Sequence, residues 1–340
     1  MERIVEVLKN HELGLFRGEL EGLLEPEWRG QRLLRALRKL EQEGRVRFEG
    51  NTKARRYFAA QVVAARALPT SSEADAVLAS LRRPLHERAP VSYRREFLDA
   101  YVPGKTFYLP AETRTRLAAL GRTPEDAAPA GTYARKVLER FLLDLSWSSA
   151  ALEGNTYSLL DTERLFQQGR AAGGKTPTET QMLLNHKAAI EYLVDGPASL
   201  DERMVKSLHA LLMENLLSSP LDEGRLRASP VQIGQSVYLP LANPPLLAEC
   251  FAQLLATARA IEDAFECAFF LLVQLPYLQP FLDGNKRTAR LAANIPFVLR
   301  NLVPLSFIDV PRDVFSSSML AVYELNRIEP LRDVFTWAYE

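Results

Sequence analysis

Residues 278–290, Leu-Gln-Pro-Phe-Leu-Asp-Gly-Asn-Lys-Arg-Thr-Ala-Arg, constrain this chain more than any other stretch. The apolar run Ala268-Phe-Phe-Leu-Leu-Val273 precedes them and Leu291-Ala-Ala-Asn-Ile295 follows, so two buried helices meet in a turn punctuated by Pro280, Asp283 and Gly284. The pattern predicts that the second helix starts near Gly284 or Asn285. Backbone N–H groups at such an N-terminus have no intrahelical acceptor, and the helix dipole adds partial positive charge, so the turn is suited to an anion. Arg287 and Arg290 are three residues apart on one helix face, placed to grip two phosphates of one nucleotide, and Asn285 and Lys286 add donors.

These residues resemble the Fic motif, His-x-Phe-x-Asp/Glu-Gly-Asn-Gly/Lys-Arg-x-x-Arg, of proteins that transfer AMP or another phosphate-containing group to a protein hydroxyl. The resemblance implies that Phe281 is a buried anchor, Asp283 a Mg²⁺ ligand, Gly284 and Asn285 an anion hole, and Arg287 and Arg290 phosphate clamps, with ATP or a related purine nucleotide as the ligand. Two positions depart from the pattern. Gln279 stands where the family has its catalytic histidine, and Lys286 stands where AMP-transferring members usually have glycine. In the latter the chain is similar to the Doc branch, whose members bind the nucleotide reversed and phosphorylate.

A second stretch, Ser148-Ser-Ala-Ala-Leu-Glu-Gly-Asn-Thr156, resembles the inhibitory helix of Fic proteins, Ser/Thr-x-x-x-Glu-Gly/Asn, with Ser149, Glu153 and Gly154 in register. There the glutamate pairs with the second motif arginine, which is Arg290 here, and competes with the nucleotide's γ-phosphate for one guanidinium. Gly154 also suits the plain end of an amphipathic helix beginning near Tyr133, and the two readings are compatible.

Residues 1–60 carry a separate pattern. Ile4, Val5, Val7 and Leu8 fit one helix, Phe16 to Leu24 a short second, and Gln31 to Glu43 a third with Leu33, Leu34, Leu37 and Leu40 on one face and Gly44 at its end. Arg45 to Glu49 and Lys53 to Phe58 then flank Gly50-Asn51 as two strands around a turn. Three helices and a hairpin are similar to a winged helix-turn-helix, a module that often acts as a homodimer. Within residues 28–58, ten basic side chains, including Arg32, Arg35, Arg38, Arg45, Arg47, Lys53, Arg55 and Arg56, face three glutamates. Such a stripe suits double-stranded DNA, with the helix in the major groove and the wing on the backbone; a solvated helix in a protein-interaction module stays open beside it.

Residues 61–132 read as a helical connecting region, with helices over Ala74–Leu81 and Ala111–Leu120 broken by Leu68-Pro-Thr-Ser-Ser72 and a Pro/Ala/Gly-rich loop. From 133 to 340, the span of the Fic resemblance, the pattern is helical except for Pro230-Val-Gln-Ile-Gly-Gln-Ser-Val-Tyr-Leu-Pro240. That segment resembles the Fic flap, a short hairpin that holds a target protein by main-chain pairing, which makes Val237, Tyr238 and Leu239 the expected target-binding residues. The expected fold is mainly α: a Fic (Fido) helical core with a β-hairpin flap, preceded by the winged helix. His209, among Leu208, Leu211 and Leu212, reads as a satisfied core histidine.

Bulk composition excludes little, since 42 lysines and arginines balance 42 acidic residues. Two cysteines and no signal-like start lead us to expect a reducing, cytoplasmic setting, and the longest apolar run is too short to cross a bilayer. The functional expectation turns on Gln279. A glutamine amide is neutral and cannot take a proton from an attacking hydroxyl, so nucleotide binding should survive while turnover is crippled. One reading is a nucleotide-responsive transcriptional or regulatory protein; the alternative is a working transferase that relies on Lys286 and a different base.

Overall fold

The structure is a computed structural model that describes residues 2–9, 11, 15–24, 26, 28–42, 46–49, 55–59, 68–125, 127–196 and 199–340. The chain divides into two compact units, Met1–Ala67 and Leu68–Glu340.

In the first unit the elements run α1 (Glu2–Lys9), β1 (Leu15–Phe16), α2 (Arg17–Leu23), α3 (Gly30–Gln42), β2 (Val46–Glu49) and β3 (Arg56–Ala59). The strands form an antiparallel sheet in the order β1-β3-β2, with Leu15 opposite Tyr57 and Val46 opposite Ala59. Strand β1 is additional to the expected elements, because two residues carry no periodicity to read. On α3, Leu33, Ala36, Leu37 and Leu40 are buried while Leu34 is only half-buried. An advance of about 100° per residue puts the first four in one stripe and carries Leu34 to its edge. Arg32, Arg35 and Arg38 lie on the exposed face. The Arg32 guanidinium sits 5.3 Å over the Trp28 ring and that of Arg56 4.3 Å over Phe16, while Arg55 is half-buried just before β3. Gly44, Arg45, the Gly50-Asn51 turn, Lys53 and the Arg47 side chain lie outside the described residues.

The second unit is helical apart from β4 (Val91–Ser92) and β5 (Tyr238–Leu239). Its helices are α4 (Ser72–Ser80), α5 (Glu96–Asp99), α6 (Ala111–Gly121), α7 (Thr132–Lys136), α8 (Leu138–Leu152), α9 (Leu159–Gln168), α10 (Pro177–Asp195) and α11 (Glu202–Met213). After these come α12 (Pro244–Ala260), α13 (Ala264–Leu278), α14 (Asn285–Ala292), α15 (Ile295–Leu299), α16 (Arg312–Leu325) and α17 (Glu329–Tyr339). Every residue of α13 is buried, as its apolar character on all sides requires, and it packs on α12, α14 and α15. Cys250 and Cys267 are buried free thiols.

From Leu68 onward the expected connecting region belongs to this unit. Glu266 on α13 helps to hold it: its buried carboxyl accepts from Tyr101 Oη at 2.9 Å and from the N–H groups of Tyr108 and Leu109 at 2.6 and 2.9 Å. The helix expected from Tyr133 to Gly154 is broken in two at Val137 (φ −106°, ψ 12°), and no propensity in Lys136-Val137-Leu138 announces the break. The flap contributes a single strand, β5, whose partner is β4 in a parallel pair. The expected second arm is absent from residues 230–237: Gln235 turns left-handed (φ 63°), and Glu324 of α16 accepts from Ser236 Oγ and the Val237 N–H. No described helix is long and apolar enough to cross a membrane.

Candidate functional site

The turn between α13 and α14 is built by two left-handed residues. Gln279 ends α13 at φ 52°, and Gly284 caps α14 at φ 72°. The left-handed backbone at Gly284 favours glycine, and a Cβ there would lie 2.5 Å from Met213 Sδ, so the methionine side chain would have to shift. Phe281 is fully buried, its ring stacked 3.8 Å from the His209 imidazole. His209 itself is saturated: Nδ1 accepts from the Gly224 N–H at 2.9 Å and Nε2 donates to Asp283 O at 3.0 Å. Burial pushes it down to about 4, so it braces the turn as a neutral ring. Arg227, buried beneath the turn, ties it to both ends of the flap by donating to Gln279 O at 2.6 Å, Ser229 O at 3.0 Å and Leu241 O at 2.6 Å.

Asn285 and Gln279 interlock. Asn285 Nδ2 donates to Gln279 Oε1 at 2.8 Å and to Phe281 O at 2.9 Å, while its Oδ1 accepts from Phe281 N at 2.9 Å. Gln279 Nε2 donates to Pro276 O at 2.8 Å, with Tyr323 Oη at 3.4 Å. The Asn285 amide therefore braces the turn, and the Gln279 carbonyl oxygen is already engaged. The Gly284 N–H is taken as well, by Asp283 Oδ1 at 2.6 Å. Among the described residues the N–H groups of Asn285, Lys286 and Arg287 have no acceptor, which is what the first turn of a helix leaves open.

The cations above this turn meet one carboxylate. Arg290 Nη2 is 2.8 Å from Glu153 Oε1 and Lys286 Nζ is 3.0 Å from Oε2, so both oxygens of Glu153 are held. Burial would raise this carboxyl, but Arg290 and Lys286 outweigh it and hold it at about 2. Arg290 is fully buried and also bonds Ser149, through Nε to Oγ at 2.9 Å and Nη2 to the carbonyl at 3.0 Å. Gly154 follows at φ 96°, with the Arg312 guanidinium lying where a side chain would be. Arg287 Nη2 reaches Asp283 Oδ2 at 3.3 Å, and the Asp283 carboxylate is largely exposed on the rim. Two buried donors are left over, Nη1 of Arg287 and Nη1 of Arg290. The cavity at this turn measures about 310 Å³ and is lined by Glu153, Ile233, Gly234, Gln279, Asn285 and Arg287 among others, with Arg290 fully buried behind Glu153. A larger cleft of about 510 Å³ between α8, α9 and α10 contains none of the motif residues.

At the flap, Tyr238 turns inward: it is buried, stacks between Tyr277 and Tyr323, and donates to Tyr277 O at 2.6 Å. The carbonyls of Val237 and Leu239 already accept from the N–H groups of Val91 and Tyr93 at 3.2 and 3.0 Å. Arg88 secures this strap by pairing with Glu324 at 2.9 Å and donating to Gln235 O at 3.1 Å. Sequence reasoning passed over Arg88, His186 and Glu324, since no local spacing connects them to the motif.

The second unit is a helical domain with a glycine-capped, cation-rich turn, and comparison with known proteins narrows its fold. Residues 199–296 match the model of the Fic/DOC family. The chain is similar to protein adenylyltransferase fic-1 of Caenorhabditis briggsae, 25% identical over 208 residues that cover 58% of this chain and 40% of that protein. It is also similar to protein adenylyltransferase Fic of Nematostella vectensis, 29% identical over 174 residues, 49% of this chain and 40% of that one. The match thus spans about two fifths of each relative's length. Among solved structures, Fic-1 from C. elegans superposes with a TM-score of 0.52 at 21% identity over 72% of this chain and 69% of that one. A Fic family protein from Desulfovibrio desulfuricans superposes with a TM-score of 0.54 at 22% identity, over 70% and 74%. These likenesses establish the fold.

Proposed function

We propose that the second unit binds a purine nucleoside di- or triphosphate with Mg²⁺, and that Gln279 leaves it with crippled turnover, so that the nucleotide acts as a signal. The observation that carries this reading is a cavity lined by Lys286 and by Arg287, whose buried Nη1 lacks an acceptor, at the open N–H groups of α14, with Arg290 behind it held by Glu153. A buried donor left unpaired costs roughly 1–3 kcal/mol, which phosphate oxygens would relieve. Lys286, Arg287 and Arg290 supply the charge, while Phe281, Gly284 and Asn285 hold the turn in shape. The exposed Asp283 carboxylate fits Mg²⁺, which is commonly held by one or two carboxylates plus substrate phosphates and would neutralise charge on the phosphates. Ser149, Glu153 and Gly154 act as an inhibitory latch, because Glu153 occupies the cations that a terminal phosphate needs. Gln279 adds no base: its amide is neutral and its oxygen is engaged by Asn285, and a positioned base typically contributes about 10²–10⁴-fold.

The relatives' name, protein adenylyltransferase, favours a second reading in which the domain still transfers AMP, or phosphate as the Doc-like Lys286 implies, to a protein held at Val237–Leu239. Phosphoryl-type transfer rests largely on positioning and charge, and those groups are present. Calorimetry with Mg-ATP on wild type and Glu153→Gly tests binding; no heat from either refutes the nucleotide reading. Mass analysis of self and candidate proteins after incubation with Mg-ATP separates signal from reagent.

For the first unit the reading is a winged helix that binds double-stranded DNA, supported by the α1-β1-α2-α3-β2-β3 order, the β1-β3-β2 sheet and the exposed Arg32, Arg35 and Arg38. Affinity should fall with salt at a log–log slope of about −0.9 per phosphate contacted. Arg32, Arg35 and Arg38 are the candidates for base edges and Lys53, Arg55 and Arg56 for phosphate, with Arg45 and Arg47 as further DNA-binding residues. Selection from genomic fragments that recovers no preferred site would turn this unit into a protein-interaction module.

A further inference from the structure

Ser149 near the end of α8, His186 on α10 and Arg290 on α14 are all fully buried. Hydrogen bonds join them in line: His186 Nδ1 to Met182 O at 2.7 Å, His186 Nε2 to Ser149 Oγ at 2.9 Å, and Arg290 Nε to Ser149 Oγ at 2.9 Å. Donor and acceptor chemistry leaves one assignment. The Met182 carbonyl can only accept, so Nδ1 carries the proton; in a neutral ring the bare Nε2 can then only accept. Ser149 must therefore donate its hydroxyl proton to His186, which turns the oxygen lone pairs toward Arg290, whose Nε can only donate. The ring stays neutral because burial and the nearby Arg287 and Arg290 charges push His186 down to about 3, against the opposing pull of Met182 O and Glu153.

We propose that His186 is a positioning residue for the candidate nucleotide site: as a fixed acceptor it orients the Ser149 hydroxyl, which holds the Arg290 guanidinium so that Nη2 faces Glu153, the place a terminal phosphate would take. The proposal rests on the nucleotide reading above. With Glu153 in place, Arg290 has a second hydrogen-bonding anchor; once Glu153 leaves, Ser149 remains, bonding Arg290 through both its hydroxyl and its carbonyl, while the Phe315 ring lies 5.2 Å from the guanidinium. The contribution of His186 is accordingly largest in the unlatched state, where a triphosphate would be bound.

Two measurements test it. Imidazole ¹⁵N shifts of the histidine-labelled, unliganded chain should show His186 as the Nδ1–H tautomer, unchanged from about pH 5 to 8. An Nε2–H or charged ring overturns the hydrogen-bond chain. In the Glu153→Gly background, His186→Leu should weaken Mg-ATP binding about tenfold, whereas His186→Gln, which keeps an acceptor near Nε2, should stay within about threefold of the parent. Adding Ser149→Ala to His186→Leu should cost little more, because both remove one chain. Additive losses, or equal affinities for the Leu and Gln variants, overturn the positioning role, since a merely structural histidine would change melting temperature without this pattern. If Glu153→Gly binds no ATP at all, the nucleotide reading fails and the positioning role falls with it, while the tautomer still decides the hydrogen-bond chain on its own.

Discussion

Removing Glu153 should separate triphosphate from diphosphate binding. Its carboxylate touches Arg290 at 2.8 Å and Lys286 at 3.0 Å and is held at about 2. An ordinary glutamate titrates near 4.3, so the folded site prefers this anion over the neutral acid by about 3 kcal/mol, at about 1.4 kcal/mol per tenfold. Most of that preference comes from Arg290, since it is fully buried while Lys286 is a third exposed and more screened. A terminal phosphate that competes for the same guanidinium must displace the carboxylate, whereas a diphosphate that stops short of Arg290 need not. In Glu153→Gly, Mg-ATP should therefore bind about 100-fold more tightly and Mg-ADP within about threefold of wild type. Titration calorimetry with both nucleotides on both proteins reads the ratio directly. Equal tightening for ADP and ATP would mean that Glu153 blocks the whole site; no change in either would mean that Glu153 and Gly154 only finish α8.

Restoring the base is the converse experiment: Gln279→His should yield mass shifts on self or target proteins, and adding Lys286→Gly should favour AMP over phosphate, so phosphorylation alone from the double variant refutes the role given to Lys286. The latch should also have a defined pH range. Because the Glu153 carboxyl is lowered on folding, its stabilisation is fully present above about pH 4.3 and fades as pH falls toward 2, so the stability gap between wild type and Glu153→Gln, read by chemical denaturation, should be flat from about pH 5 to 8 and close below about pH 4. A gap that changes near neutrality would assign the titration to another group. Glu324→Gln should loosen the strap and raise hydrogen exchange at the Val237 and Tyr238 amides about tenfold, because Glu324 accepts from Arg88, Ser236 and Val237; unchanged exchange would show that β4 alone holds the flap.

What was legible in the sequence was local. The apolar run of α13, the breaker residues 280–284 and the basic residues of α14 lie within about two dozen positions, so helix period and turn chemistry were enough to place the anion-ready turn and its capping glycine. The helices of the first unit were legible for the same reason, although the stripe on α3 runs through Ala36 and leaves Leu34 at its edge. The pairing of Glu153 with Arg290, 137 positions apart, was reachable only because both sit in recognisable motifs. Everything else at the site needed the fold. A carboxylate long in sequence and short in space, such as Glu324 on Arg88 across 236 positions, leaves no periodic trace. The flap shows the limit most clearly: Val237 to Leu239 read as strand-forming, and Tyr238 and Leu239 are, but whether that edge faces a partner or the chain's own residues 91–93 depends on which backbone arrives beside it. Likewise, glutamine at 279 announced the loss of a base, while only the packed turn decided that its oxygen is engaged by Asn285, because hydrogen-bond partners are chosen by tertiary proximity and not by sequence spacing.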